Sequence, residues 1–209
     1  APAVCKLDDV NNDGMDDIIK FVRSSQSGTG QGDVYVAKSS NGRWGTLTKW
    51  QEYLCGTATE VCDTGDFNRD GMADIISFHQ GSYGGSKEVW ISLSNGFTGF
   101  SGSKKWVTGF CMQSQEVCMT GDFNDDNYDD IITFHHGAWN GSKQVFVYLS
   151  NGSSFNYTGS PWHNDFCPAG EICEVGDVDN DGDDDIISFQ RASGDVYVAL
   201  SNGSSFGAK

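Results

Sequence analysis

The stretch Asp9-Val-Asn-Asn-Asp-Gly-Met-Asp-Asp17 decides the fold, because the chain contains it four times. Its counterparts are Asp66-Phe-Asn-Arg-Asp-Gly-Met-Ala-Asp74, Asp122-Phe-Asn-Asp-Asp-Asn-Tyr-Asp-Asp130 and Asp177-Val-Asp-Asn-Asp-Gly-Asp-Asp-Asp185. The copies start at residues 9, 66, 122 and 177, roughly every 56 residues, and self-similarity at such a period marks a repeat architecture. Each copy runs straight into an apolar segment: Ile18-Ile-Lys-Phe21, Ile75-Ile-Ser-Phe78, Ile131-Ile-Thr-Phe134 and Ile186-Ile-Ser-Phe189. Segments this short, β-branched at the head, read as strands. A Gly/Ser-rich loop leads to a second strand pattern at Val34-Tyr-Val36, Val89-Trp-Ile91, Val145-Phe-Val147 and Val196-Tyr-Val198, closed by Ser-Asn-Gly turns at Asn41, Asn95, Asn151 and Asn202. Both faces of that strand are apolar, as expected of a sheet covered on each side.

After the turn comes a tryptophan, at Trp50, Trp106 and Trp162, and then the strand that opens the next repeat, at Glu60-Val-Cys62, Glu116-Val-Cys118 and Glu171-Ile-Cys173. Four short strands per repeat is the content of one propeller blade. The expectation is therefore an all-β chain, a β-propeller built of four-stranded antiparallel blades. About four blades are present in a single repeat domain over 1-209, with repeats at approximately 1-54, 55-110, 111-166 and 167-209, and the set is open to membership of a larger ring. A linear stack of β-hairpins is the competing arrangement, since sequence does not report ring closure. No helical periodicity is visible.

Composition narrows the function. The formal net charge is -16 with only 13 Lys and Arg, so the surface repels phosphate and a nucleic-acid partner is excluded. No apolar run approaches the roughly 20 residues of a membrane helix, which argues against membrane insertion. The start Ala1-Pro2-Ala3 has neither a basic nor an apolar leader segment, so an export signal is expected to have been removed or to lie upstream.

A single D-x-N-x-D-G could be an ordinary tight turn, because Asp, Asn and Gly all favour turns. Four copies with oxygen side chains at positions 1, 3, 5 and 9 are better explained by calcium, which takes six to eight oxygens and needs a residue at position 6 that lets the chain curl around it. The expected ligands are Asp9, Asn11, Asp13 and Asp17; Asp66, Asn68, Asp70 and Asp74; Asp122, Asn124, Asp126 and Asp130; and Asp177, Asp179, Asp181 and Asp185. The position-7 carbonyls of Met15, Met72, Tyr128 and Asp183 are expected to complete each shell. In the third loop Asn127 replaces Gly, and Asn tolerates the left-handed backbone needed there. About four Ca2+ are implied; they would add +8 to the formal -16 and leave -8. The loops lack the closing Glu and flanking helices of an EF-hand.

The acidic loop followed by its apolar strand resembles the FG-GAP or VCBS repeat, known from integrin α-subunit propellers, calcium-dependent fungal propeller lectins and arrays attached to secreted bacterial hydrolases. The resemblance covers all four repeats. It implies a β-propeller with Ca2+ in the loop joining the first two strands of each blade. Propellers of this family are often seven-bladed, and this chain has material for four.

The cysteines follow the repeat as Cys55 with Cys62, Cys111 with Cys118 and Cys167 with Cys173. No CxxC spacing is present and calcium ignores thiolate, so three local disulfides are favoured over metal ligation, and the expected localisation is secreted, extracellular. Cys5 occupies the position of Cys62, Cys118 and Cys173 without a partner, and the last repeat stops short of its tryptophan. Both features leave room for a homo-oligomer joined through Cys5 or the unfinished blade, or for a length of a longer array.

No nucleophile, matched acid and base, GxSxG or HExxH stands out, so the chain is not expected to be an enzyme. The glycine run Gly28-Thr-Gly-Gln-Gly32 lacks the strand-to-helix setting of a phosphate loop. Informative positions are those where repeats differ. Between the second and third strands, repeat 2 carries His79 and Tyr83 and repeat 3 carries His135 and Trp139, where repeats 1 and 4 have Arg23 and Arg191. An aromatic beside His, Asn or Gln is a means of stacking on a sugar while bonding its hydroxyls, although rings here could equally cover a blade edge. Trp50, Trp106 and Trp162 read first as inter-blade packing; in similar propeller lectins sugars bind in clefts between blades, so they are secondary carbohydrate candidates. The expected function is carbohydrate binding, with glycans or glycoproteins as partners and avidity from repetition. The alternatives are an integrin-like protein-binding propeller and a targeting domain cut from a secreted enzyme.

Overall fold

The computed structural model describes residues 3–23, 32–81 and 87–209. The chain forms two compact units, Ala1–Phe110 and Cys111–Lys209. In the first unit, β1 (Val4–Asp8), β2 (Asp17–Val22) and β3 (Asp33–Ala37) are followed by a small hairpin of β4 (Ser39–Ser40) and β5 (Arg43–Trp44), and then by β6 (Thr48–Gln51). The sheet order is β1-β2-β3-β6, all antiparallel. The second blade contains β7 (Glu60–Gly65), β8 (Asp74–His79), β9 (Glu88–Ser92) and β10 (Lys104–Thr108), in that sheet order.

The second unit repeats the plan with β11 (Val117–Gly121), β12 (Asp130–Phe134), β13 (Val145–Ser150) and β14 (Phe155–Tyr157). Its other blade has three strands, β15 (Ile172–Gly176), β16 (Asp185–Phe189) and β17 (Val196–Ala199). These are the blades of a β-propeller. Registers agree between blades: the last residue of the first strand faces the position-9 aspartate that begins the second, as in Gly65 with Asp74, Gly121 with Asp130 and Gly176 with Asp185. Every acidic loop therefore joins the first two strands of its blade.

Each unit has one core, built from the apolar faces that the strand patterns marked. Phe21, Val34, Val36, Trp50, Leu54 and Ile75 belong to the first, and Phe123, Phe134, Val145, Trp162, Phe166 and Phe206 to the second. Matching hydrogen bonds tie neighbouring blades. Ser94 Oγ donates to Val10 O at 2.7 Å and Phe100 N to Trp50 O at 3.3 Å; in the other unit Ser201 Oγ donates to Phe123 O at 2.9 Å and Phe206 N to Trp162 O at 3.0 Å.

The tryptophan segment departs from the strand pattern in blade 3: Trp162 lies in a bend after β14, held by its backbone N–H on Val145 O at 2.8 Å. A four-residue helical turn, Ala138–Gly141, also interrupts the otherwise all-β chain, and it is left-handed at Trp139 and Asn140. Gly137 and Gly141, both at positive φ, make this turn sterically accessible.

Candidate cation loops and a candidate sugar surface

The four acidic loops share one backbone path. Position 4 is left-handed in every copy, at Asn12, Arg69, Asp125 and Asn180, and so is position 6, at Gly14, Gly71, Asn127 and Gly182. Asn127 takes the role of Gly with φ 62. The position-1 carboxylate organises the curl by accepting backbone N–H groups from inside the loop. Asp66 accepts from Asp70 at 3.1 Å and Gly71 at 2.7 Å, and Asp122 from Asp126 at 3.2 Å and Asn127 at 2.8 Å. Asp9 and Asp177 bind Gly14 and Gly182 in the same way.

The position-9 aspartates are buried and anchored to the third strand's turn. Asp17, Asp74, Asp130 and Asp185 each accept the N–H of a serine, namely Ser39, Ser94, Ser150 and Ser201, at 2.6, 2.7, 2.7 and 2.8 Å. Burial pushes the carboxyls of Asp74 and Asp130 up to about 8, reinforced by Asp70 with Asp66 and by Asp126 with Asp122. Oxygens of Asp177, Asp179 and Asp185 lie within 4.8 Å of one another, and burial together with neighbouring carboxylates holds Asp179 above its ordinary range. Asn124 Oδ1 is buried without a hydrogen-bond partner. Carboxylates that repel one another, beside a carbonyl oxygen lacking a donor, form a donor set suited to a hard divalent cation. Consecutive loops also touch: Asp9 O accepts Ala73 N–H at 2.8 Å, and Asp122 O accepts Asp184 N–H at 2.6 Å.

At the opposite end of the second strand the repeats diverge. In blade 3, Trp139 Nε1 donates to Glu116 Oε1 at 2.5 Å, leaving the indole 42% exposed. His135 Nδ1 lies 2.9 Å from Ser142 Oγ and its Nε2 lies 3.8 Å from Glu116 Oε1. Burial lowers the His135 pKa despite that carboxylate, so the ring is a neutral hydrogen-bonding group. Its ring centroid is 6.2 Å from Trp139 and 4.9 Å from Phe146, which leads on to Tyr157 at 6.3 Å. The result is an aromatic ledge with polar groups along one edge.

In blade 2, His79 stacks at 6.4 Å on Trp90, while Tyr83 lies outside the described residues, as does most of the glycine run beginning at Gly28. Trp50, Trp106 and Trp162 are buried: Trp50 packs on Phe100 and Trp162 on Phe206, both at 5.4 Å, and Trp106 on Phe67 at 6.5 Å. Trp50 and Trp162 thus pack between blades as expected, whereas the contact of Trp106 with Phe67 lies within its own blade. Trp50 also lines a cleft, of about 530 Å³, shared with Lys38, Lys49 and the exposed Phe97 between blades 1 and 2. Lys38 Nζ sits 5.2 Å over the Trp50 ring.

Two residues of these surfaces escaped the sequence reading. Glu116 looked like a common element of the repeat, and Phe97 occupies a turn position that is polar in the other repeats, Arg43, Ser153 and Ser204. That contrast was a usable signal. The three disulfides are formed as paired in the sequence, Cys55–Cys62, Cys111–Cys118 and Cys167–Cys173, and Cys5 is an exposed thiol. Among the described residues no helix is long and apolar enough to cross a membrane.

Antiparallel blades, three of them four-stranded and one three-stranded, each with an acidic loop between its first two strands, define a β-propeller. The FG-GAP-like repeat family matches residues 9–77. A solved structure described as specific recognition of non-reducing terminal N-acetylglucosamine by an Agrocybe aegerita lectin is similar over 98% of this chain, with a TM-score of 0.72 and 25% identity. This chain spans 50% of that one. No curated protein matches. The β-propeller fold is thus shared with that structure.

Proposed function

We propose that the protein is an extracellular, calcium-binding module that recognises carbohydrate and carries out no chemistry on it. The observation that carries this reading is Trp139, whose indole is fixed by Glu116 with its ring still open to solvent, beside His135. A ring clamped at its N–H loses little freedom when a sugar stacks on it, and the neighbouring imidazole offers a partner for a hydroxyl. Similarity to a lectin that recognises N-acetylglucosamine supports the same class of ligand. The cleft beside Trp50 and Phe97 is a second surface of this kind.

Calcium would be held by the position-1, 3, 5 and 9 side chains of each loop, where it would neutralise clustered carboxylates. Those loops stand at the other end of the second strand from Trp139, so the ion's part is to hold the scaffold. Three disulfides support an oxidising, extracellular setting.

A glycan array probed with the labelled protein in calcium tests the reading. The expected result is binding to glycans with terminal N-acetylglucosamine, competed by the free sugar and weakened at least about tenfold by Trp139→Ala. Absence of glycan binding together with a tight, sugar-insensitive protein complex would replace it with the integrin-like alternative.

A further inference from the structure

Two positions of the repeat change character, and both changes fall on one cleft. The residue just ahead of the serine that binds each buried aspartate is Leu93, Leu149 and Leu200 in blades 2 to 4, but Lys38 in blade 1. The residue two beyond the turn asparagine is polar in blades 1, 3 and 4, but Phe97 in blade 2. Lys38 and Phe97 face each other across the cleft over Trp50. Packing asks for neither of them. The corresponding joint in the other unit, Ser201 Oγ on Phe123 O and Phe206 N on Trp162 O, forms with Leu200 and Ser204 in their places.

The lysine carries an uncompensated charge. Lys38 is half-buried; its Nζ donates to Gly96 O at 3.0 Å and sits 5.2 Å over the Trp50 ring. Among the described residues it forms no ion pair with a carboxylate, in a chain with 29 Asp and Glu, whereas Lys49 beside it is neutralised by Asp33 and Glu52. An ammonium has three N–H donors, so two are left for a ligand. The ring opposite is held ready. Phe97 is 79% exposed, on a turn fixed by Asn95 Oδ1, which accepts the N–H groups of Phe97, Thr98 and Gly99 at 3.0, 3.0 and 3.2 Å. A ring on so rigid a turn loses little freedom when a ligand stacks on it. A volume of about 530 Å³ lies within the range of small-molecule sites.

We infer that this cleft takes an acidic sugar residue, a pyranose bearing a carboxylate or a sulfate, with the sugar ring on Phe97 and the anion at Lys38 Nζ. This rests on carbohydrate being the ligand class and adds a division between two surfaces. Trp139 is clamped by the carboxylate of Glu116 beside a neutral His135, a setting that repels an anion and suits a neutral sugar. The cleft over Trp50 has the opposite polarity.

Two probe pairs test the inference: glucuronic acid against glucose, which differ only in the carboxylate, and a sulfated N-acetylglucosamine against N-acetylglucosamine. Each is titrated into the isotope-labelled full chain in calcium, with amide shifts followed by NMR. At least one acidic sugar is expected to move the amides of Gly96, Phe97 and Thr98, with an affinity about fivefold above its neutral partner, as one partly exposed charge contact allows. The pair that shows the preference distinguishes carboxylate from sulfate. Lys38→Leu installs the residue of the other three blades, so it should melt with the parent and erase the preference; Phe97→Ser should weaken acidic and neutral sugars alike. Should Lys38→Leu not fold, added salt decides, since it should weaken the acidic sugar and leave the neutral one unchanged. The inference is overturned if neither acidic sugar moves these amides, if acidic and neutral sugars bind the cleft equally, or if the preference survives Lys38→Leu. Shifts at Trp139 on adding N-acetylglucosamine would preserve the carbohydrate reading in each of those cases, and their absence would remove that reading as well.

Discussion

The second strand of every blade has two ends, and they obey different rules. At its start the four repeats are nearly interchangeable: the same curl, the same buried aspartate, the same serine N–H on that aspartate. At its finish they part. In blade 3 Glu116 clamps an exposed indole, whereas in blade 4 its counterpart Glu171 accepts from Ser188 Oγ and, at 2.8 Å, from Gln190 Nε2, bracing the turn with polar groups alone. One carboxylate position presents a ring in one blade and stiffens a loop in the other. In a repeat protein the invariant end carries stability, and the end that varies carries specificity.

Several perturbations can break or sharpen that contrast. The largest is removal of divalent cation. Excess EDTA should lower the melting temperature by roughly 10 °C or more, because the proposed sites, which would bind only the folded chain, would be lost together. An unchanged melting curve would place the stability of the invariant end elsewhere. Next comes Asp130→Ala, which leaves the N–H groups of Ser150 and Phe123 without their acceptor; chemical denaturation should report a loss of about 3 kcal/mol. Its neighbour Asp125, exposed on the same loop at a left-handed position, should change stability by no more than about 0.5 kcal/mol when made Asn, which tolerates that backbone.

Opening the Cys167–Cys173 bond with a double Ser substitution closes a short loop less tightly and should cost about 2–3 kcal/mol in the same assay. A small effect on stability is expected from Trp139→Ala, at about 1 kcal/mol or less, since the ring is partly exposed and one hydrogen bond is lost. The same variant should have the largest effect on sugar binding. A Trp139→Ala protein that unfolds would show that this turn belongs to the scaffold after all.

Much of this was readable from the sequence, for physical reasons. A fourfold acidic loop followed by Ile-Ile-x-Phe fixes the period, the strand and the turn together, since each element depends on neighbours within a few residues. Asn127 could be read as a left-handed residue before any coordinates, because few other side chains tolerate that conformation. The cysteine pairs were local too. What could not be read depends on distant partners. Nothing around Trp139 announces that Glu116, 23 residues earlier, holds its N–H, or that flanking glycines let the turn run left-handed. Trp50, Trp106 and Trp162 were read as packing residues, but their partners Phe100, Phe67 and Phe206 are distant in sequence and came only with the fold.

The division of labour between the two ends rests on the acidic loops being filled. Calorimetric titration of Ca2+ into chelator-stripped protein, with metal content counted by elemental analysis, measures this directly. About four ions per chain, reduced by about one in Asp130→Ala, is the predicted result. A chain that stays folded and takes up none would contradict it.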